Sequence, residues 1–318
     1  MASLNDAAKI AVENCLGLKP DELCLVITDE PCRSVGIALW EGARRIGSEA
    51  VFLEIIPRQR NGQEPPPGLA EFMKRFHVVF CPTSKSLTHT EARRDACEAG
   101  ARIATLPGVT EDMMKRTLNA DYEGIAERSL RLADLLTAGS EARLTTPAGT
   151  DLHFVLEGRE AHADTGIVHE PGQSTNLPAG EAYMAPLEGK TQGTLVVDGA
   201  MAGVGIIEGE TIRITVRDGY GVECSGGAAA GRLEALIDPL GRPAWNVAEL
   251  GIGTNEKAIL TGNVLEDEKA IGTVHVAIGD NYSMGGTVSV ESHLDGILLR
   301  PTLLVDGKAV MEDGQIVV

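Results

Sequence analysis

The chain has 318 residues, of which 43% are hydrophobic and 23% charged, and a formal net charge of −18. That length suggests about two domains. An acidic balance without a basic stripe excludes a phosphate-neutralising surface, so no nucleic-acid partner and no anionic membrane partner is expected.

The six cysteines form no C-x-x-C pair, and most lie in apolar runs such as Leu23-Cys24-Leu25-Val26. They read as buried residues of a reduced compartment. The opening Met1-Ala-Ser-Leu-Asn-Asp lacks a basic and apolar leader pattern, and no apolar run approaches the roughly 20 residues of a membrane span. A cytoplasmic enzyme is the expectation.

Residues 1–138 alternate helical and strand signals. Asn5 to Leu16 has helical periodicity and stops at Gly17. Glu22 to Thr28 is an apolar strand, Val35 to Ile46 a helix ending before Gly47, and Ala50 to Ile56 a second strand. A proline-rich loop with Pro57, Pro65, Pro66 and Pro67 follows. Leu69 to Arg75 is a short helix and His77 to Cys81 a third strand. Thr88 to Ala99 is helical, with Thr88 as N-cap and Glu91 completing a capping box. Ala101 to Leu106 is a fourth strand, and helices cover about 110–119 and 121–137. Short apolar strands alternating with helices predict an α/β Rossmann-like domain with a short parallel sheet of about four strands.

The character changes near Ala138-Gly139-Ser140. From residue 139 to residue 318 the runs are strand-like and punctuated by glycine, with one helix at about 227–238. This half reads as a β-rich α+β domain, and its acidic and imidazole donors place the expected metal-binding catalytic site in it. Familiar motifs fail here. Gly189-Lys190-Thr191 lacks the earlier glycine of a phosphate loop, since position 184 is Met, and there is no G-x-S-x-G or H-E-x-x-H. His153, His162 and His169 match no metal spacing and read as polar strand and loop residues.

The last third holds a denser set of donors. His275 sits at the centre of the alternating strand Thr273-Val-His-Val-Ala-Ile-Gly279, sharing a face with Thr273 and Ala277. In Ser292-His293-Leu294-Asp295 an imidazole and a carboxylate stand two residues apart, so an extended backbone aims both at one ion. Glu181 lies beside Gly180 in a turn-rich segment between two prolines. Glu249 interrupts an apolar, glycine-rich run, where a carboxylate is costly to bury unless paired or bound to a cation. Tyr282 falls in a loop between the two histidines.

These ordered segments resemble the aminopeptidase T family of metallo-exopeptidases. They are Asn176-Leu-Pro-x-Gly-Glu181-x-x-x-x-Pro186, Glu249-Leu-Gly-Ile-Gly-Thr-Asn255, Glu268-Lys269-x-x-Gly-Thr-Val-His275-Val-Ala-Ile-Gly279, Ser292-His-Leu-Asp295 and Arg300-Pro-Thr with Val305-Asp-Gly307. The likeness covers about residues 140–310. The N-terminal half is shorter than in typical members and matches no motif. The resemblance implies a two-metal co-catalytic site with ligands at Glu181, Glu249, His275, His293 and Asp295, a site tyrosine at Tyr282, and a homodimer.

A metal-dependent aminopeptidase is the leading expectation. Two divalent ions, with Zn, Co or Mn favoured by the O/N donor set, would activate a water against the N-terminal bond of a small peptide. Glu249, then Glu181, is expected to shuttle the proton, and Tyr282 to help the oxyanion. The alternative is a mononuclear non-haem Fe(II) ring-cleaving dioxygenase of the dihydroxypyridine type, found among that family's wider relatives. It would use His275, His293 and Asp295 as a two-His-one-carboxylate set.

Overall fold

The computed structural model describes residues 3–318. Two compact units emerge: residues up to Ala126 with Asp164–Ala179 form the first, and Glu127–Ala163 with Gly180–Val318 form the second. A single boundary after residue 138 is therefore replaced by three crossings of the chain. The first crossing falls inside the helix Tyr122–Ala138, whose Leu132, Ala133 and Leu136 are buried in the core of the second unit.

The first unit is built on a parallel sheet. Leu23–Asp29 lies between Glu49–Ile55 and Val78–Cys81, and Arg102–Thr105 and Ser174–Asn176 follow outward from the latter. Cys24, Leu25, Val26 and Ile27 are all buried, as expected of a parallel strand covered on both faces. The sheet thus has five strands where four were predicted. The added strand is three polar residues long and has no apolar period to announce it. It pairs through its backbone, with Ile103 opposite Ser174, and the Asn176 side chain accepts from the Thr105 hydroxyl at 2.7 Å.

Two local expectations shift. The helix Glu91–Glu98 is capped by Thr90, whose hydroxyl accepts from the Arg93 amide at 3.2 Å. Thr88 lies too far upstream to reach the orphan amides of that first turn, and its hydroxyl bonds Thr105 and Asn176 instead. At the N-terminus a capping box between Ser3 and Asp6 starts the α-helix Leu4–Lys9, which passes into a π-helical turn over Ile10–Cys15. Cys15, Cys24, Cys32, Cys81 and Cys97 are buried free thiols. Burial pushes the Cys81 thiol up to about 12, which makes it inert.

The second unit is a pair of antiparallel sheets. One runs Tyr220–Ser225, Ile212–Arg217, Gln192–Val197, Asp151–Val155, Glu141–Thr145, Thr302–Val305, Lys308–Glu312 and Gln315–Ile316. The other runs Gly205–Ile206, Ala200–Met201, His293–Leu299, Thr273–Gly279, Val247–Gly253, Glu181–Met184 and His162–Asp164. Leu144, Leu152, Phe154, Leu195 and Ile214 from the first sheet share one core with Leu250, Ile252, Val274, Val276 and Ile278 from the second. The predicted architecture, an α/β portion with a parallel sheet and a β-rich portion, is the observed one. No helix among the described residues is long and apolar enough to cross a membrane.

Candidate metal centre

Four adjacent strands of the seven-stranded sheet carry all five predicted ligands. Glu181 opens Glu181–Met184, Glu249 lies in Val247–Gly253, His275 in Thr273–Gly279, and His293 and Asp295 in His293–Leu299. Alternation sends Leu250, Ile252, Val274, Val276 and Ile278 into the core. Glu249, Gly251, Thr273, His275 and Ala277 therefore face the other way. The register shifts between Val247 and Glu249; such a bulge re-aims a side chain without ending the ladder.

The ladder also makes room. Glu181 pairs with Gly253, Glu249 with Ala277, His275 with Gly251, His293 with Gly279, and Asp295 with Ala277. Every ligand thus has a glycine or alanine directly across one strand boundary, so five large polar side chains can lean over small neighbours and converge. At Gly251 the need is absolute: a Cβ there would lie 1.9 Å from His275 Nε2.

The convergence is close. His275 Nε2 lies 3.1 Å from Glu249 Oε1 and 3.3 Å from Glu181 Oε2. His293 Nε2 lies 3.0 Å from Glu249 Oε2 and 3.4 Å from Asp295 Oδ1. Two donor trios result, Glu181–Glu249–His275 and Glu249–His293–Asp295, and they share Glu249. Ligands about 2.1 Å from a first-row ion stand about 3.0 Å apart on an octahedral edge and about 3.4 Å apart on a tetrahedral one, which brackets these separations. Glu181 Oε2 is buried with no hydrogen-bond partner. His293 Nδ1 donates to the Asp280 carbonyl at 2.7 Å. A carbonyl only accepts, so the neutral ring must leave Nε2 unprotonated toward the two carboxylates. Hard oxygens and borderline nitrogens without a thiolate fit a divalent ion of the Fe, Mn, Co or Zn kind.

Without an ion, protons supply the positive charge. Burial opposes the His275 cation, but the hydrogen bond to Glu249 and the Glu181 charge push its pKa up to about 9. Burial likewise opposes the His293 cation, and Asp295 and Glu249 hold it well above the ordinary range. Burial works against the Glu249 anion, yet His275 and His293 keep it well below the usual carboxylate range. Burial pushes Glu181 up to about 8 in spite of the neighbouring Lys269 ammonium.

That lysine was not singled out from sequence as a site residue. Its Nζ lies 2.5 Å from Glu181 Oε1 and 2.7 Å from Glu268 Oε1. The Glu268-Lys269 pair immediately before an apolar strand was visible, but its reach to Glu181 depends on tertiary placement. Tyr183, also missed, follows Glu181 by two residues on the same strand and lies opposite Gly251; its ring is 5.4 Å from that of His162. Tyr282 departs from expectation. Its residue is 68% exposed and its backbone amide donates to Asp280, because it sits in a 3-10 turn on the loop leaving the His275 strand. His153 lies on the surface beside Asp151, and His169 meets the Asn14 carbonyl; neither joins the donor trios.

The structure superposes on that of 2,5-dihydroxypyridine dioxygenase from Pseudomonas putida KT2440 with a TM-score of 0.88 and 19% identity, covering 100% of this chain and 99% of the other. It superposes on wild-type AmpT from Thermus thermophilus with a TM-score of 0.73 and 18% identity, covering 99% of both. The resemblance to aminopeptidase T therefore holds at the level of the fold. In sequence, the chain is 25% identical over 248 residues to the 2,5-dihydroxypyridine 5,6-dioxygenase of Pseudomonas putida, covering 73% of this chain and 69% of that protein. Residues 10–318 match the model of the family described as NicX: 2,5-dihydroxypyridine 5,6-dioxygenase; the chain, a metal-binding enzyme by its kinship and donor set, belongs to that family.

Proposed function

We propose that this enzyme is a metal-dependent ring-cleaving dioxygenase acting on a dihydroxylated nitrogen heteroaromatic of the dihydroxypyridine kind. Family membership over residues 10–318 carries this reading. The donor set supports it. Glu249 stands between the imidazoles of His275 and His293, 3.1 and 3.0 Å from them. The trio closed by the H-x-D segment is Glu249, His293 and Asp295, and these residues would hold the ion. Fe(II) held there would supply the redox chemistry for reaction of O₂ with an electron-rich ring.

The chain's own residues do the rest. The Asp280 carbonyl fixes the His293 tautomer. Glu249 is braced by His275 on its other oxygen. A hydroxylated ring bound beside that ion would have to give up a hydroxyl proton. Glu181 Oε2, buried without a hydrogen bond and facing His275 Nε2 at 3.3 Å, is the acceptor we assign. The test is anaerobic reconstitution with Fe(II), then exposure to 2,5-dihydroxypyridine and isotopically labelled O₂. One iron per chain, consumption of O₂ equal to that of substrate and label in the ring-opened product are expected. Iron-loaded protein that leaves the ring intact would overturn the reading.

A second reading rests on a specific observation. The two oxygens of Glu249 face different imidazoles and belong to two donor trios, an arrangement suited to a carboxylate bridging two ions. It supports hydrolysis of peptides with a free N-terminus. Release of an amino acid from an aminoacyl anilide by protein carrying two Zn, Co or Mn, with no need for O₂, would select it.

A further inference from the structure

We infer that Lys269 is a positioning residue that makes the two cation positions unequal. The position Glu249–His293–Asp295 fills first, and the position Glu181–Glu249–His275 fills only weakly because Lys269 already satisfies half of Glu181. This rests on the metal-binding reading above and goes beyond it by ranking the positions and naming what ranks them.

The geometry is specific. Glu181 belongs to only one of the two trios, and its Oε1 is taken by Lys269 Nζ, which leaves Oε2 alone to face His275. Lys269 is buried, with its ammonium held between Glu181 and Glu268 and its backbone tied down on both sides. Its amide donates to the Glu266 carbonyl at 3.0 Å, and its carbonyl accepts from the Asn255 amide at 2.9 Å. Glu268 Oε1 holds the ammonium from another side at 2.7 Å. A fixed positive charge bonded to one ligand repels a divalent ion at that ligand more than at a position made without it. It also restricts Glu181 to one-oxygen coordination. The ammonium thus already supplies part of the positive charge that a second ion would bring.

The test uses the full chain, stripped of metal and titrated with Mn(II), with free Mn(II) counted by its electron paramagnetic resonance signal. The wild type is expected to bind one Mn(II) at least tenfold more tightly than a second. Lys269→Met should tighten the second position at least tenfold, and the spectrum should become that of two coupled ions. Lys269→Arg, which keeps the charge, should retain the unequal order. Glu268→Gln removes the competitor for the ammonium and should weaken the second position more than the first.

Two equal positions in the wild type would overturn the inference. So would a folded Lys269→Met with an unchanged gap. If Lys269→Met does not fold, Glu268→Gln decides: affinities that fall equally at both positions, or not at all, reject the role of Lys269. Wild-type protein that binds no Mn(II) tightly would instead reject the metal centre itself, so the two failures are distinguishable.

Discussion

Gly251 and His275 face each other on neighbouring strands, and a Cβ at Gly251 would overlap the imidazole at 1.9 Å from Nε2. Gly251→Ala is therefore expected to push His275 off Glu249 and to cost about 10-fold to 100-fold in metal affinity, as loss of a ligand's support does elsewhere. Equilibrium dialysis against Fe(II) or Mn(II) checks this, and a near-native circular dichroism spectrum would show that the sheet survives.

Protons and ions compete for the same centre. With His293 held well above its ordinary range by Asp295 and Glu249, and His275, which shares Glu249 with it, raised to about 9, an ion arriving at pH 7 must displace protons. Metal affinity is expected to climb as pH rises toward 9, by up to about tenfold per pH unit for each proton released. Calorimetry in buffers of different ionisation enthalpy reads that release directly. The metal-free protein should behave in the opposite sense. Relative to ordinary values of 6.5 for His275 and 4.5 for Glu181, both folded-state values are raised. Folding then favours the protonated forms, and apo stability should fall as pH rises through this range.

The five donors carried different marks: Glu249 and His275 interrupt apolar runs where a lone polar group is costly to bury, His293 and Asp295 stand two residues apart, Glu181 lies in a turn-rich segment between prolines, and the likeness to aminopeptidase T joined them into one set. Their mutual placement was not legible, since it depends on strand register and on the bulge before Glu249. Lys269 stayed hidden for the same reason, its partner Glu181 being 88 residues away. Tyr282 was assigned by similarity alone, and its loop leaves it exposed.

At the scale of elements, the long apolar runs of the first unit gave their strands away, because burial on both faces leaves a continuous hydrophobic signature. The edge strand Ser174–Asn176 left none, and only backbone pairing and the Asn176 side chain place it. One buried ion pair ties this unit together. Arg102 gives two hydrogen bonds to Glu22, at 2.7 and 3.0 Å, and a third to the Leu16 carbonyl at 3.0 Å, with side chains only 6% and 13% exposed. Arg102→Leu strands the Glu22 anion and should destabilise the protein by about 3–5 kcal/mol, measurable by urea denaturation. Although burial opposes it, the Arg102 partnership holds Glu22 below its ordinary value of 4.5. This contribution is present above that value and is lost as pH falls below it. A wild-type-like midpoint for Arg102→Leu at pH 7 would show that the pair contributes little.

At the scale of the whole molecule, composition and alternation pointed to an α/β portion followed by a β-rich one, but they could not show that the chain returns to its first unit over Asp164–Ala179. Sequence locality hides such a return, because a short polar segment carries no mark of which core it joins. A fragment of residues 139–318 would lack Leu132, Ala133 and Leu136, which lie in the core of the second unit. It would also carry the segment that completes the other unit. We expect it to be unfolded by amide dispersion in NMR spectra, whereas a cooperatively folding fragment would show the core to be complete without the helix.

The account depends on the H-x-D strand and Glu249 enclosing a catalytic ion. The most direct measurement is anomalous diffraction at the iron edge from crystals of anaerobically reconstituted protein. The account predicts a strong peak within bonding distance of Glu249, His293 and Asp295, with a weaker or empty position beside Glu181 and His275. An iron peak elsewhere in the molecule, with these five side chains still closed on one another, would contradict it.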